Sequence, residues 1–157
     1  MQPSSLATFE VAVVVPVYNA ALYLRRCLDS IVRQQDVRMR LFIINDGSSD
    51  ESRDIVDEYA TVYSDKVLAF HTANRGTGPS RNLALSHILN SLTEEAAENT
   101  YVFFVDADDW LEQGALSTLV AEANTSGNDI VFCDHTVHRG NVSTLMQGFW
   151  GDSLKDR

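Results

Sequence analysis

"VAVVVPVYNAALYLRRCLDSI", Val11 to Ile31, changes its hydrophobic period halfway along. Val11 to Val15 is an unbroken β-branched run, the composition of a strand covered on both faces. After the polar "PVYN" (16–19), Leu24, Cys27, Leu28 and Ile31 recur at i, i+3, i+4 and i+7, the stripe of an amphipathic helix. A buried strand feeding a helix is the repeating unit of a parallel sheet. Short apolar runs recur at "LFII" (41–44), "VLAF" (67–70), "YVFFV" (101–105) and "DIVFC" (129–133). Helical stripes lie between or after them: Ile55, Val56 and Tyr59; Leu85, Ile88, Leu89 and Leu92; Leu116, Leu119, Val120 and Ala123. Ser48 with Glu51 has the spacing of a capping box, and Pro79 suits a first helical turn. The pattern predicts an α/β domain over residues 11–133 with a mainly parallel sheet flanked by helices. Residues 1–10 read as a disordered tail, 91–100 as a polar link, and 134–157 as an irregular tail or the start of a further region.

A chain of 157 residues with 45% hydrophobic content fills the core of one domain. No apolar stretch reaches the roughly 20 residues of a membrane span, and "MQPSSLATFE" lacks the regions of a signal peptide. Cys27 and Cys133 both sit in apolar-patterned segments and read as reduced core thiols, which suggests the cytoplasm. A net charge of −10 argues against a nucleic-acid surface. It leaves room for an anionic ligand if a cation mediates.

Ligand crevices in such sheets lie beyond the carboxyl ends of the strands. "PVYN" (16–19), "NDGSSD" (45–50), "NRGTGPSRN" (74–82) and "DADD" (106–109) all follow apolar runs there. Two carboxylates behind a buried strand, Asp106 and Asp108, suit a divalent cation bridging to a diphosphate; the plainer reading is a solvated turn with Asp109 capping a helix near Glu112. Asp46 ends the second run, where its carboxylate can accept a base imide N–H. Gly47 and Ser48 are explained by a tight turn. Tyr18 offers a ring face for stacking, or packs on the first helix. Arg81 offers a phosphate fork, or lies on a solvated helix face. His135 and His138 have metal-ligand spacing only on a helix, and they follow a predicted strand.

Together "VVVPVYNAALYLRRCLDSI", "INDGSSDES", "NRGTGPSRNLAL" and "FVDADDW" resemble the family 2 glycosyltransferases, from about Val11 to Leu111. The resemblance implies the GT-A fold, a Rossmann-like sheet, and an inverting enzyme that uses a nucleotide-sugar donor. It implies that Tyr18 and Asp46 hold the base, uracil being commonest, with Pro16, Val17 and Asn19 along that wall and Arg81 by the base and diphosphate. Asp106 would contact the ribose, Ala107 would lie between the acids, and Asp108, with Asp106, would hold Mg²⁺ or Mn²⁺. The implied partners are a UDP-sugar and a saccharide or lipid-linked acceptor in cell-surface polysaccharide synthesis. The implied place is the cytoplasm or the inner face of the membrane. Pro79 and Ser80, and Ala84 in place of a glycine, depart from the family's pattern. Its catalytic base, an aspartate in a Glu-Asp-like motif, has no counterpart up to Arg157; Asp152 and Asp156 are poor substitutes. The expectation is therefore a truncated donor-binding half, with the base beyond Arg157 and a homodimer formed near Phe149 and Trp150. A phosphatase of the haloacid dehalogenase type is disfavoured, because its D-x-D follows the first strand.

Overall fold

The computed structural model describes residues 11–139 and 142–146, so the expected tail at 1–10 and the expectations for Phe149, Trp150, Asp152 and Asp156 lie outside the described residues. Four strands, β1 (Val11–Val17), β2 (Met39–Asp46), β3 (Val67–Thr72) and β4 (Tyr101–Phe104), form one parallel sheet in the order β3-β2-β1-β4. The chain winds outward from β1 through β2 to β3, then returns to place β4 on the other side of β1. The order therefore reverses at β1, and the crevice between the carboxyl ends of β1 and β4 is the topological switch point.

Side-chain alternation divides the core in two. Val11, Val13, Val15, Val17, Leu41 and Ile43 face α1 (Ala21–Val32) and α2 (Ser52–Val62), whose Leu24, Cys27, Leu28, Ile31, Ile55 and Val56 are buried with them. Ala12, Val14, Phe42 and Ile44 face α3 (Thr77–Ser91) through Ala84 and Ile88. Both faces of β1 and β2 are thus covered, which is why their sequences lack polar alternation.

Several details differ from the sequence reading. The inner row of α3 is Ser80, Ala84 and Ile88, whereas Leu89, one position off that row, is 66% exposed. β4 is an edge strand with Val102 and Phe104 partly exposed. The polar link contains a one-turn helix, α4 (Glu94–Ala97), capped by the Thr93 side chain, which accepts from the Ala96 N–H. The helix expected near Glu112 is α5 (Ala115–Ser126), beginning after Gly114 at φ +79°. Asp109, six residues ahead of its start, does not cap it.

"DIVFC" (129–133) is not a strand. Its residues are largely exposed, Ile130 at 69%, and pairing begins only afterwards, in an antiparallel hairpin of β5 (His135–Arg139) and β6 (Val142–Met146). The short apolar run carries strand propensity but pairs with no strand among the described residues. Cys133 is accordingly exposed, not a core thiol, while Cys27 is buried. The chain divides into two compact units at Val120/Ala121. Among the described residues no helix is long and apolar enough to cross a membrane.

Candidate functional site

Pro16 explains why the crevice opens where it does. The Val105 N–H donates to the Val14 carbonyl, and the β1–β4 ladder ends there. Two residues on, Pro16 points the same way and has no N–H to extend the ladder. β1 and β4 therefore part. Tyr18 follows β1 at the opening, is 54% exposed and lies outside the core packed on α1. Pro16 and Val17 are buried at the end of β1.

The loop after β1 is tied to the loop after β2. Asn19, at φ +48°, gives its N–H to Ser48 Oγ, and its Oδ1 accepts the Ser49 N–H. The Ala20 N–H donates to Ser52 Oγ and the Ala21 N–H to Asp50 Oδ2. The first amides of α1 are thus satisfied from the neighbouring loop, and the capping box expected of Ser48 and Glu51 does not form. Ser48 is instead spent on Asn19, and Asp50 Oδ1 accepts the Ser52 N–H. Burial, the largest influence on Asp50, pushes its carboxyl up, but the bonds from Ser52 and the Ala21 N–H together leave it below the ordinary carboxylate range.

Asp46 at the tip of β2 is 3% exposed. Its Oδ1 accepts from the Arg75 N–H at 2.9 Å and the Thr72 hydroxyl at 3.2 Å; its Oδ2 accepts from the Gly76 N–H at 2.7 Å. Burial again acts upward, but these donors and Ser80 outweigh it and hold the carboxyl below its usual value. Asp46 therefore organises the loop entering α3, a role the sequence reading missed because its donors are backbone amides. With about four lone-pair positions on a carboxylate, room remains for another donor. Gly47 is fixed twice: φ is +71°, and a Cβ there would stand 2.7 Å from the Asn74 amide nitrogen.

From that loop α3 carries Arg81 to the crevice, where Nη2 donates to Asp106 Oδ1 at 2.7 Å; the guanidinium carbon lies 5.4 Å from the Phe104 ring centre. Arg81 is therefore paired rather than merely solvated, and its Nε is buried without a partner among the described residues. Hydrogen bonds so connect Asp46, the 75–76 amides, α3 through Arg81, and Asp106 around one rim. Ala107 is buried and Asp108 exposed. No hydrogen bond or ion pair occupies the Asp108 carboxylate among the described residues. The Cys27 thiol lies beneath this loop; burial first, then Asp109, Asp108 and Asp106, push it up to about 12, so it stays protonated.

The donor set fits a hard divalent cation. Among the described residues no group of three or more His, Cys, Asp or Glu side chains can enclose a metal. One or two carboxylates with phosphate oxygens completing the shell is the usual magnesium arrangement, and Asp108 and Asp106, the latter through its remaining oxygen, are the residues that could hold such a cation. His135 and His138 lie on β5, whose strand geometry sets residues three apart on opposite faces, and His138 Nδ1 is hydrogen-bonded to Ser143 Oγ.

The sequence profile of "Glycosyl transferase family 2" matches residues 12–151. The chain belongs to that family. It is 30% identical over 152 residues to a putative glycosyltransferase, EpsH, of Bacillus subtilis, covering 97% of this chain and 41% of EpsH. Among solved structures it is similar to S. aureus TarS 1–349 in complex with UDP-GlcNAc, with a TM-score of 0.62 and 26% identity over 76% of this chain and 32% of that one. It is similar also to the mannosyltransferase PcManGT from Pyrobaculum calidifontis in complex with GDP-Man and Mn²⁺, with a TM-score of 0.60 and 28% identity over 73% of this chain and 32% of that one. The α/β architecture is the GT-A fold. The family 2 chain thus spans less than half of the length of each of these proteins.

Proposed function

We propose that this family 2 chain is the donor-binding part of a glycosyltransferase that passes a sugar from a nucleoside diphosphate, UDP foremost, to an acceptor hydroxyl with inversion. One observation carries the reading: the continuous hydrogen-bonded rim from Asp46 through Arg81 to Asp106 around the switch-point crevice. Tyr18 would stack on the base and Asp46 accept its imide N–H, with Asn19 and the backbone of Pro16 and Val17 completing that wall. Arg81 would lie along the diphosphate while still steadying Asp106, which faces the ribose; the backbone at Ala107 sets the spacing of the acids. Asp108, with Asp106, would hold Mg²⁺ or Mn²⁺, which supplies charge neutralisation for the departing diphosphate. The metal reading is supported by the Mn²⁺ in the PcManGT complex, and the uridine reading by the UDP-GlcNAc in the TarS complex. The acceptor, a saccharide or lipid-linked hydroxyl, would need a general base.

A second reading, a donor-binding module that does not complete transfer alone, is favoured by the 41% of EpsH that the chain spans. Calorimetry with UDP tests what both readings share. Binding should tighten with Mn²⁺ and lose that gain with chelator. Asp108→Ala should abolish the gain, and Asp109→Ala should retain most of it. Equal affinity with and without the metal in the unmodified chain would end the metal assignment.

A further inference from the structure

Nine residues of chain from Arg26 to Gln34 hold the whole segment that carries the acids. Cys27 Sγ–H donates to the Asp106 carbonyl at 3.6 Å. The Arg26 guanidinium lies 3.2 Å from the centre of the Trp110 ring. Ser30 Oγ accepts the Leu111 N–H at 2.9 Å while donating to the Cys27 carbonyl. Gln34, buried just beyond α1, has both ends of its amide in use: Nε2 donates to the Ser30 carbonyl at 3.1 Å and the Glu112 carbonyl at 2.8 Å, and Oε1 accepts the Leu116 N–H at 3.2 Å. One side chain thereby serves a carbonyl near the end of α1 and an amide in the first turn of α5, both otherwise orphaned by helix geometry. Cys27 and Ser30 lie one turn apart on α1 and Gln34 just beyond its end, so the three form one edge toward the acidic segment.

The acids themselves have little local support. Arg81 steadies Asp106, and nothing among the described residues holds the Asp108 side chain. Where Asp108 points is thus decided by its backbone, and that backbone is held by the edge just described, by the burial of Val105 and Ala107, and by the turn from the Asp109 N–H to the Asp106 carbonyl. We propose that Gln34, with Ser30, is a positioning residue for the acidic loop: it touches neither nucleotide nor metal and sets the place of the carboxylates through Glu112, Leu111 and Leu116. The inference rests on the donor-binding reading above. The plain alternative is that Gln34 only caps two helices and contributes to stability.

The two roles separate in the ratio of the UDP dissociation constant in chelator to that in Mn²⁺, because only the metal-dependent gain uses the acidic loop. Gln34→Met keeps the length and removes all three bonds. It should cut the ratio by roughly 10- to 100-fold, the usual cost of losing an outer-shell partner, while UDP binding in chelator changes little. Ser30→Ala should act in the same direction and Ser30→Thr, which keeps the hydroxyl, should restore the ratio. Tyr59→Phe is the comparison: it removes a 2.7 Å bond to Asp29 on the α1–α2 side and should lower Tm without moving the ratio. If Gln34→Met does not fold, the Ser30 pair decides. A lowered Tm with an unchanged ratio in the folded variants overturns the positioning role and leaves the donor reading intact. A chain without substitutions that gains nothing from Mn²⁺ brings down the donor reading instead.

Discussion

At the scale of the residue, Asp46 carries a structural role beside the ligand role proposed for it. The sequence places a carboxylate at the end of a buried strand, which suggests a ligand acceptor. The structure adds three protein donors, so substitution has two consequences. Asp46→Ala leaves the Arg75 and Gly76 amides without their acceptor and should lower stability by about 1–3 kcal/mol, as for loss of hydrogen bonds to a charged group. Asp46→Asn keeps one carbonyl but turns an NH₂ toward one of those amides, so it too should destabilise, by less. Urea unfolding of both variants beside UDP titrations checks this. Weakened nucleotide binding at unchanged stability would make Asp46 a ligand residue alone.

At the scale of the element, α1 begins without a capping residue of its own: Ala20 occupies the N-cap and makes no side-chain cap. Asp50 in the next loop and Ser52 at the start of α2 supply the acceptors. Because the folded Asp50 carboxyl lies below its ordinary value, its contribution is fully present above the unfolded value near pH 4 and is lost as pH falls through the folded one. Asp46 acts with the same sign. Stability should therefore fall as pH drops below about 4, and Asp50→Asn should flatten that fall while costing stability near neutrality. Thermal scans from pH 6 down to pH 2.5 measure it; an equally steep acid limb in Asp50→Asn would show that Asp50 has no cap role.

At the scale of the whole molecule, the candidate donor residues come from the ends of β1, β2 and β4 and from α3, all within the unit ending at Val120. No contiguous peptide holds them together, so a nucleotide should bind the folded state alone. UDP with Mn²⁺ at 100 times its dissociation constant should then stabilise that unit by about 2.7 kcal/mol. For a chain of this size that is a rise in Tm of roughly 5–10 °C. The same UDP in chelator should give a smaller rise. A Tm that ignores nucleotide and metal together would count against a preformed donor site.

The sequence by itself determined the alternation of strand and helix from Val11 to Val120, because buried runs and helical stripes are local patterns. It also located the polar loops at the strand ends, since "PVYN", "NDGSSD" and "DADD" follow their strands directly. Propensity without a neighbouring strand misled at residues 129–133, where pairing falls in the hairpin beyond. Only the tertiary structure decided the order β3-β2-β1-β4, and with it that Pro16 opens a crevice beside the acids rather than merely interrupting a strand. It alone decided what Asp46, Asp50 and Gln34 do. Their partners lie about 30 residues away for Asp46 and Asp50, and about 80 away for Gln34. Such pairs exist only once the sheet has brought loops of distant sequence to one edge, which no local pattern records.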